Sequence, residues 1–313
     1  MVRPVYDLAY AQCQPTARSA LTVMFYNSLS YSLMRRLPVS AGSAFGGWMA
    51  GKLAPRQMPL RSARAARNLA ILRPDLDDAQ ARAMLDRRWR NMGRFIAELP
   101  SMDRLLGPDH LAIEDHAAYR AVVDGDGRLI VVSLHIGHWD LIAAHLKLQI
   151  ERPLIGVHQL PDDPAQARML AKARSSYLEE AQSAGEGAAR KILRHLGRHD
   201  RGFAYILLDE RLDRQVAFPT FGRPLEPRGN VSIALRLARA SKARILPVYL
   251  AREDGPRFTL RWHAPLDPAE MSQQAMFAAL DAWFGRAALD HLDQWLALQD
   301  MDLAQGDAPA QGV

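Results

Sequence analysis

Short apolar runs recur along the chain from about residue 111 on, each followed by a longer amphipathic stretch. "LIVVSL" (129–134), "PLIGV" (153–157), "FAYILLD" (203–209) and "RILPVYLA" (244–251) are brief and unbroken by polar alternation, as expected of strands buried on both faces. Residues 140–149, 163–182, 187–198 and 230–241 read as the helices between them, and "RFTLRWH" (257–263) as a further strand. Strands separated by helices predict an α/β domain with a largely parallel central sheet flanked by helices. Sites in such sheets lie beyond the carboxyl ends of the strands.

The first hundred residues read as helical. Residues 60–72 carry Arg61, Arg64 and Arg67. After "RPDLDD" a long helix runs to about residue 99, with Met84, Leu85, Trp89, Met92, Phe95, Ile96 and Leu99 on one side and Arg82, Asp86, Arg90 and Arg94 turned elsewhere. Residues 20–34, "ALTVMFYNSLSYSLM", gather Leu21, Met24, Phe25, Leu29 and Leu33 on one helical face. The stretch is too short and too polar to be a clear bilayer span. It fits a helix lying in the headgroup layer, or one packed on its own domain. The expected organisation is an N-terminal helical membrane-associating region (1–56), an α/β domain (57–302) and a flexible tail (303–313).

Charge and cysteine content narrow the classes. The formal charge is +6 and the pI about 9.7, which favours anionic partners such as phospholipid surfaces or phosphorylated substrates. No zinc finger or aromatic-basic module accompanies the charge, so nucleic acid is not an expected partner. Cys13 is the sole cysteine, which excludes an intramolecular disulfide and a cysteine-based zinc site.

The chemistry concentrates in "LHIGHWD" (134–140), directly after the first strand. His135 at the strand end and Asp140 in the first turn of the next helix predict an imidazole oriented by a carboxylate, the base-and-orienter half of a catalytic triad. There is no G-x-S-x-G elbow, so the attacking hydroxyl would belong to the substrate. N–H groups at the helix start could face a developing oxyanion. Two other roles fit the same residues. His135 could simply finish a strand, or His135, His138 and Asp140 could bind a metal in a hydrolase, a spacing that resembles but does not match the H-x-H-x-D-H cluster of metallo-hydrolases.

"LHIGHWDL" resembles the H-x-x-x-x-[DE] motif of the lysophospholipid acyltransferase superfamily, and within it the bacterial lipid A late acyltransferase branch. "RSARAARNLAILRPDL" ahead of it, and "LLDE" (207–210), "FPTFGRP" (218–224) and "RGNVSIALRLARASKARILPVYLAR" after it, resemble that branch's other segments in the same order, so the likeness spans about residues 37–266. The resemblance implies transfer of an acyl chain from an acyl carrier protein or acyl-CoA to a hydroxyl of a membrane glycolipid. The acceptor would be a lipid A precursor, or another glycolipid such as a mannosylated phosphoinositide. It implies work at the cytoplasmic face of the inner membrane, peripherally or by a single N-terminal anchor, with no metal and no cofactor beyond the acyl donor. His135 would be the base and Asp140 its partner, with Arg174 and Asp209 shaping the site. His138, Asp140, Glu210 and Thr220 depart from that branch's usual Asn, Glu, Gln and Phe.

Arg211, Arg214, Arg223 and Arg228 flank the "DER" and "FGRP" segments. Arg223 and Arg228 are the candidates for holding a substrate phosphate, because loops at strand ends carry sites. Asp209 and Glu210 could form a carboxylate pair, or Asp209 could be bound up with a neighbouring arginine.

Overall fold

The computed structural model describes residues 28–158, 170–172, 174, 177, 180–183, 187–212, 215–301 and 303, with the side chains of 28–30, 158 and 180–183 left aside. Residues 20–27 of the amphipathic stretch, Cys13, Arg214, most of the expected helix 163–182 and nearly all of the tail lie outside them.

Seven strands form the central sheet: β1 (Leu111–Ile113), β2 (Leu129–Ser133), β3 (Leu154–His158), β4 (Glu180–Ser183), β5 (Phe203–Leu207), β8 (Arg244–Arg252) and β9 (Phe258–Trp262). Their order is β1-β9-β8-β2-β5-β3-β4, and every neighbouring pair is parallel except β8 with β9. A small antiparallel ribbon, β6 (Arg211–Leu212) with β7 (Gln215–Val216), leaves the end of β5. The largely parallel sheet is therefore present. The expected helix 163–182 is corrected at its end, where Glu180–Ser183 pairs with β3 as an edge strand. Strand-to-strand pairing overrode the local helical pattern there.

The central strands show why unbroken apolar runs mark this architecture. All five residues of β2 are buried, and Ile130 and Val132 pack into one core while Leu129 and Val131 pack into the other. Helices cover both faces, as parallel sheets require. They include α5 (His116–Asp124), α6 (Trp139–Leu148), α7 (Ala188–Arg198), α8 (Gly229–Ser241) and α9 (Gln273–Asp290).

The N-terminal helices are α1 (Ser28–Arg36), α2 (Val39–Gln57), α3 (Pro59–Leu72) and α4 (Asp78–Glu98). A capping box starts α4: Gln80 N donates to Asp77 Oδ1 at 2.8 Å, and Asp77 N donates to Gln80 Oε1 at 3.0 Å. Helix α2 is rich in glycine and alanine, so it lacks the apolar stripe that identified α4, and small residues let the two helices touch backbone to backbone. A Cβ added at Gly93 would overlap the carbonyl oxygen of Gly46 and the Cβ of Ala50. No helix among the described residues is long and apolar enough to cross a membrane.

Gly93→Val forces α2 away from α4, and overpacking of this kind costs roughly 1–3 kcal/mol. Denaturant unfolding should show a loss in the upper part of that range; an unchanged midpoint would mean that the helices do not depend on this contact.

Candidate active site

Strands β2 and β5 run side by side with Ser133 opposite Leu207. Two residues further along each chain stand His135 and Asp209, carried to the same level by the shared register. The Asp209 side chain is fully buried, whereas that of His135 is 24% exposed. Asp209 Oδ1 lies 2.8 Å from His135 Nδ1, and its carboxylate also accepts the His135 backbone N–H, at 3.0 Å to Oδ2. Trp295 Nε1 donates a further bond to Oδ2 at 2.8 Å. A carboxylate only accepts, so Nδ1 carries the proton and Nε2 is left as the basic nitrogen.

The turn after His135 is held from two sides. Leu296 N donates to the His135 carbonyl at 2.9 Å, and Ile136 bridges Trp295. Gly137 adopts φ +60°, and a Cβ there would overlap the carbonyl oxygen of Leu250, so only glycine fits. The Trp139 ring packs edge-on against the His135 ring at 4.9 Å and stacks on Phe95 at 3.9 Å.

Asp140 does not supply the hydrogen bond to the His135 ring that the sequence led one to expect. It sits in the first turn of α6 and receives Arg174, with Nε donating at 2.8 Å and Nη2 at 3.0 Å. Burial pushes the Asp140 carboxyl up, but the charge and hydrogen bonds of Arg174 outweigh it and hold the group below its ordinary value. The Arg174 guanidinium is raised in turn, against the effect of its burial. The two aspartates thus have separate cationic or N–H partners across one small region.

His138 lies apart from His135, fully buried between the rings of Phe95 and Phe258. Neither of its nitrogens has a hydrogen-bond partner among the described residues. Beside it Glu98 accepts two bonds from Arg252, both 2.7 Å, and one from Ser43 at 2.6 Å. Burial, only partly offset by Glu98, pushes the His138 imidazole down to about 4. His135, His138 and Asp140 are not brought together as ligands, and no cluster of three His, Cys, Asp or Glu side chains among the described residues could hold a metal ion. Among the described residues the geometry therefore gives the hydrolase alternative no metal centre.

The remaining candidates are dispersed. Arg223 ties down its own loop, donating to the carbonyls of Thr220, Ala217 and Pro219 at 2.7, 3.0 and 3.3 Å. Arg228 is exposed at the start of α8 and lines a cleft with Glu210. Burial raises the Glu210 carboxyl to about 7, even though it accepts the Asn230 N–H. Trp295 and Arg88 went unnoticed in the sequence. Arg88 had a signal, since it stands one turn from both Met84 and Met92 on the apolar stripe of α4.

A partly exposed imidazole clamped by a buried carboxylate at the end of a parallel sheet marks the candidate site of this α/β fold. The chain matches the bacterial lipid A biosynthesis acyltransferases over residues 17–301 and belongs to that family. It is accordingly an acyltransferase that takes an acyl donor and a lipid acceptor. A comparison with curated proteins found no match.

His138 makes stability depend on pH. Its folded-state value lies below the ordinary 6.5, so the unfolded chain binds a proton that the folded chain refuses. Stability contributed by the neutral ring is complete above 6.5 and falls, by on the order of 3 kcal/mol, as the pH drops towards 4. His138→Leu should flatten that part of the profile in urea unfolding between pH 7 and 4.5; equal slopes in both proteins would contradict the assignment.

Proposed function

We propose that the enzyme moves a fatty acyl chain from the thioester of an acyl carrier protein or coenzyme A to a hydroxyl of a lipid A precursor, with His135 as general base and Asp209 as its orienter. The observation that carries this reading is the Nδ1 bond to a buried carboxylate, which leaves Nε2 basic at a partly exposed strand end.

The acceptor hydroxyl gives its proton to Nε2 as its oxygen attacks the thioester carbonyl. Asp209 steadies the imidazolium through Nδ1–H. Collapse of the tetrahedral intermediate breaks the carbon–sulfur bond, and the departing sulfur takes the proton back from Nε2 as a free thiol. N–H groups at the start of α6 meet the oxyanion, and Asp140 keeps Arg174 beside that helix end to reinforce them. This chemistry requires no metal and no cofactor. Arg228 supplies an exposed charge for the substrate, and Arg223 shapes the loop before it.

The work site is the cytoplasmic face of the inner membrane. Leu33, Phe45, Trp48 and Leu60 are exposed on the N-terminal helices, with Lys52, Arg56 and Arg61 exposed nearby, a composition suited to an anionic lipid surface.

His135→Ala should lower turnover about 10²–10⁴-fold with the fold intact. Asp209→Asn, which leaves the shape but removes the orienting charge, should fall at least 10²-fold, roughly as orienter losses do elsewhere. Acyl transfer to a lipid A precursor, followed by mass spectrometry with each donor, is the measurement. Wild-type rates in Asp209→Asn would transfer the orienting role away from Asp209, and a product acylated only on another glycolipid would change the acceptor.

A further inference from the structure

Several exposed helices of the molecule interleave their charges. On α4, Arg82 pairs with Asp78 at 3.9 Å and Arg90 with Asp86 at 2.8 Å; on α5 and α9, Arg120 meets Asp124 at 2.8 Å and Arg286 meets Asp290 at 2.9 Å. Such pairs leave a solvated face close to neutral. Helices α7 and α8 differ. Neither contains an aspartate or glutamate, yet Arg190, Lys191, Arg194 and Arg198 are exposed on α7, and Arg236 and Arg239 on α8, with Lys242 exposed just beyond its end. Arg236 Nε donates to the Ser232 carbonyl of its own helix at 3.3 Å, and none of these five arginines forms an ion pair among the described residues.

The spacing sets the charges in rows. Residues 190, 194 and 198 stand one turn apart along α7, and 228, 232, 236 and 239 do so along α8. The two helices pack side by side over one core, with Ile192 and Leu196 from α7 and Ala234 and Leu235 from α8 turned inwards. Each lies on a crossover between parallel strands and so starts at the carboxyl end of the sheet, the end that carries His135. Arg228 heads the α8 row and lines the cleft beside Glu210, the neighbour of Asp209. The result is a two-helix cationic face that begins beside the site and runs away from it. The 11 residues of α7 alone span roughly 16 Å, more than a single phosphate can cover.

A lipid surface fits this face poorly. Helices that lie in a membrane interface mix basic residues with large apolar ones. Among the described residues of α7 and α8, only Leu193, 39% exposed, is a large apolar side chain open to solvent. The mixture is found instead on α1–α3, with Leu33, Phe45, Trp48 and Leu60. A cationic face with one apolar contact suits an acidic protein, where complementary charge steers encounter and fixes register.

We propose that α7 and α8 dock an acidic protein, the carrier that delivers the acyl thioester, and so favour a carrier-bound chain over coenzyme A as donor. The identity of that partner rests on the acyltransferase reading; the docking of an acidic protein surface does not.

Binding of purified acyl carrier protein to the full chain reads the face without catalysis. Focused charge of one sign raises association about 10–10³-fold, so Arg194→Glu with Arg236→Glu should weaken carrier binding about 10–100-fold. Added salt should weaken wild-type binding as well. Arg82→Glu with Arg120→Glu makes the same change in net charge on other helices and should leave the affinity within about twofold. Arg194→Gln with Arg236→Gln should give a smaller loss, and it carries the test if the glutamate variant does not fold. In turnover, the α7–α8 variant should raise KM for the carrier-bound donor by a like factor and leave kcat, and KM for acyl-CoA, near wild type. No carrier binding by the wild type, or equal affinity in the wild type and the α7–α8 variants, would overturn the proposal. So would lost binding to phosphatidylglycerol vesicles with carrier binding intact, which would assign the face to the membrane. A wild type that binds the carrier through this face but transfers no acyl group would end the functional reading and leave the docking surface standing.

Discussion

The buried carboxylate of Asp209 is the interaction on which the site depends. It gathers the backbone N–H and ring N–H of His135 and the indole N–H of Trp295, groups from the end of β2 and from the segment after α9. A carboxylate taken out of water needs such donors, because each one left unmade costs on the order of 1–3 kcal/mol. The demand works in both directions. Asp209 fixes the imidazole, and the imidazole and indole together make the burial of Asp209 tolerable.

The surroundings extend this arrangement to a second layer. The chain after His135 is pinned between Leu250 and residues 294–296, which is why Gly137 has no substitute there. Helix α4 borders the same turn with Phe95 stacked on Trp139, and it buries two charges, Arg88 and Glu98. Glu98 is fully answered by Arg252 and Ser43, whereas Arg88 is answered only in part. Two buried charges ten residues apart on one helix thus have different characters: one locks the scaffold, and the other belongs to a side chain that borders a cleft beside Trp139 and Trp295.

Much of the fold was legible because its strands are buried on both faces, and an unbroken run such as "LIVVS" has few other homes. What was not legible follows from the same physics. Helix α2 packs through Gly46 and Ala50 against Gly93 and shows no apolar stripe, since its contact is made by backbone and small side chains. Strand β4 is a strand only because β3 offers it an edge to pair with. His135 and Asp209 were both recognisable as strand-ending residues, and Asp140 and Arg174 as polar groups near them, yet the pairing among the four was not.

Sequence alone determined the class of architecture, the family likeness and the placement of a histidine at the end of a central strand, because each depends on residues close together in the chain. Only the tertiary structure decided which aspartate meets which cation. Asp140 is five residues from His135 and Asp209 is seventy-four, but adjacent parallel strands in register bring the distant one to the imidazole, while Arg174 takes up the near one. Lateral register between strands is a property of the assembled sheet, and no local spacing encodes it.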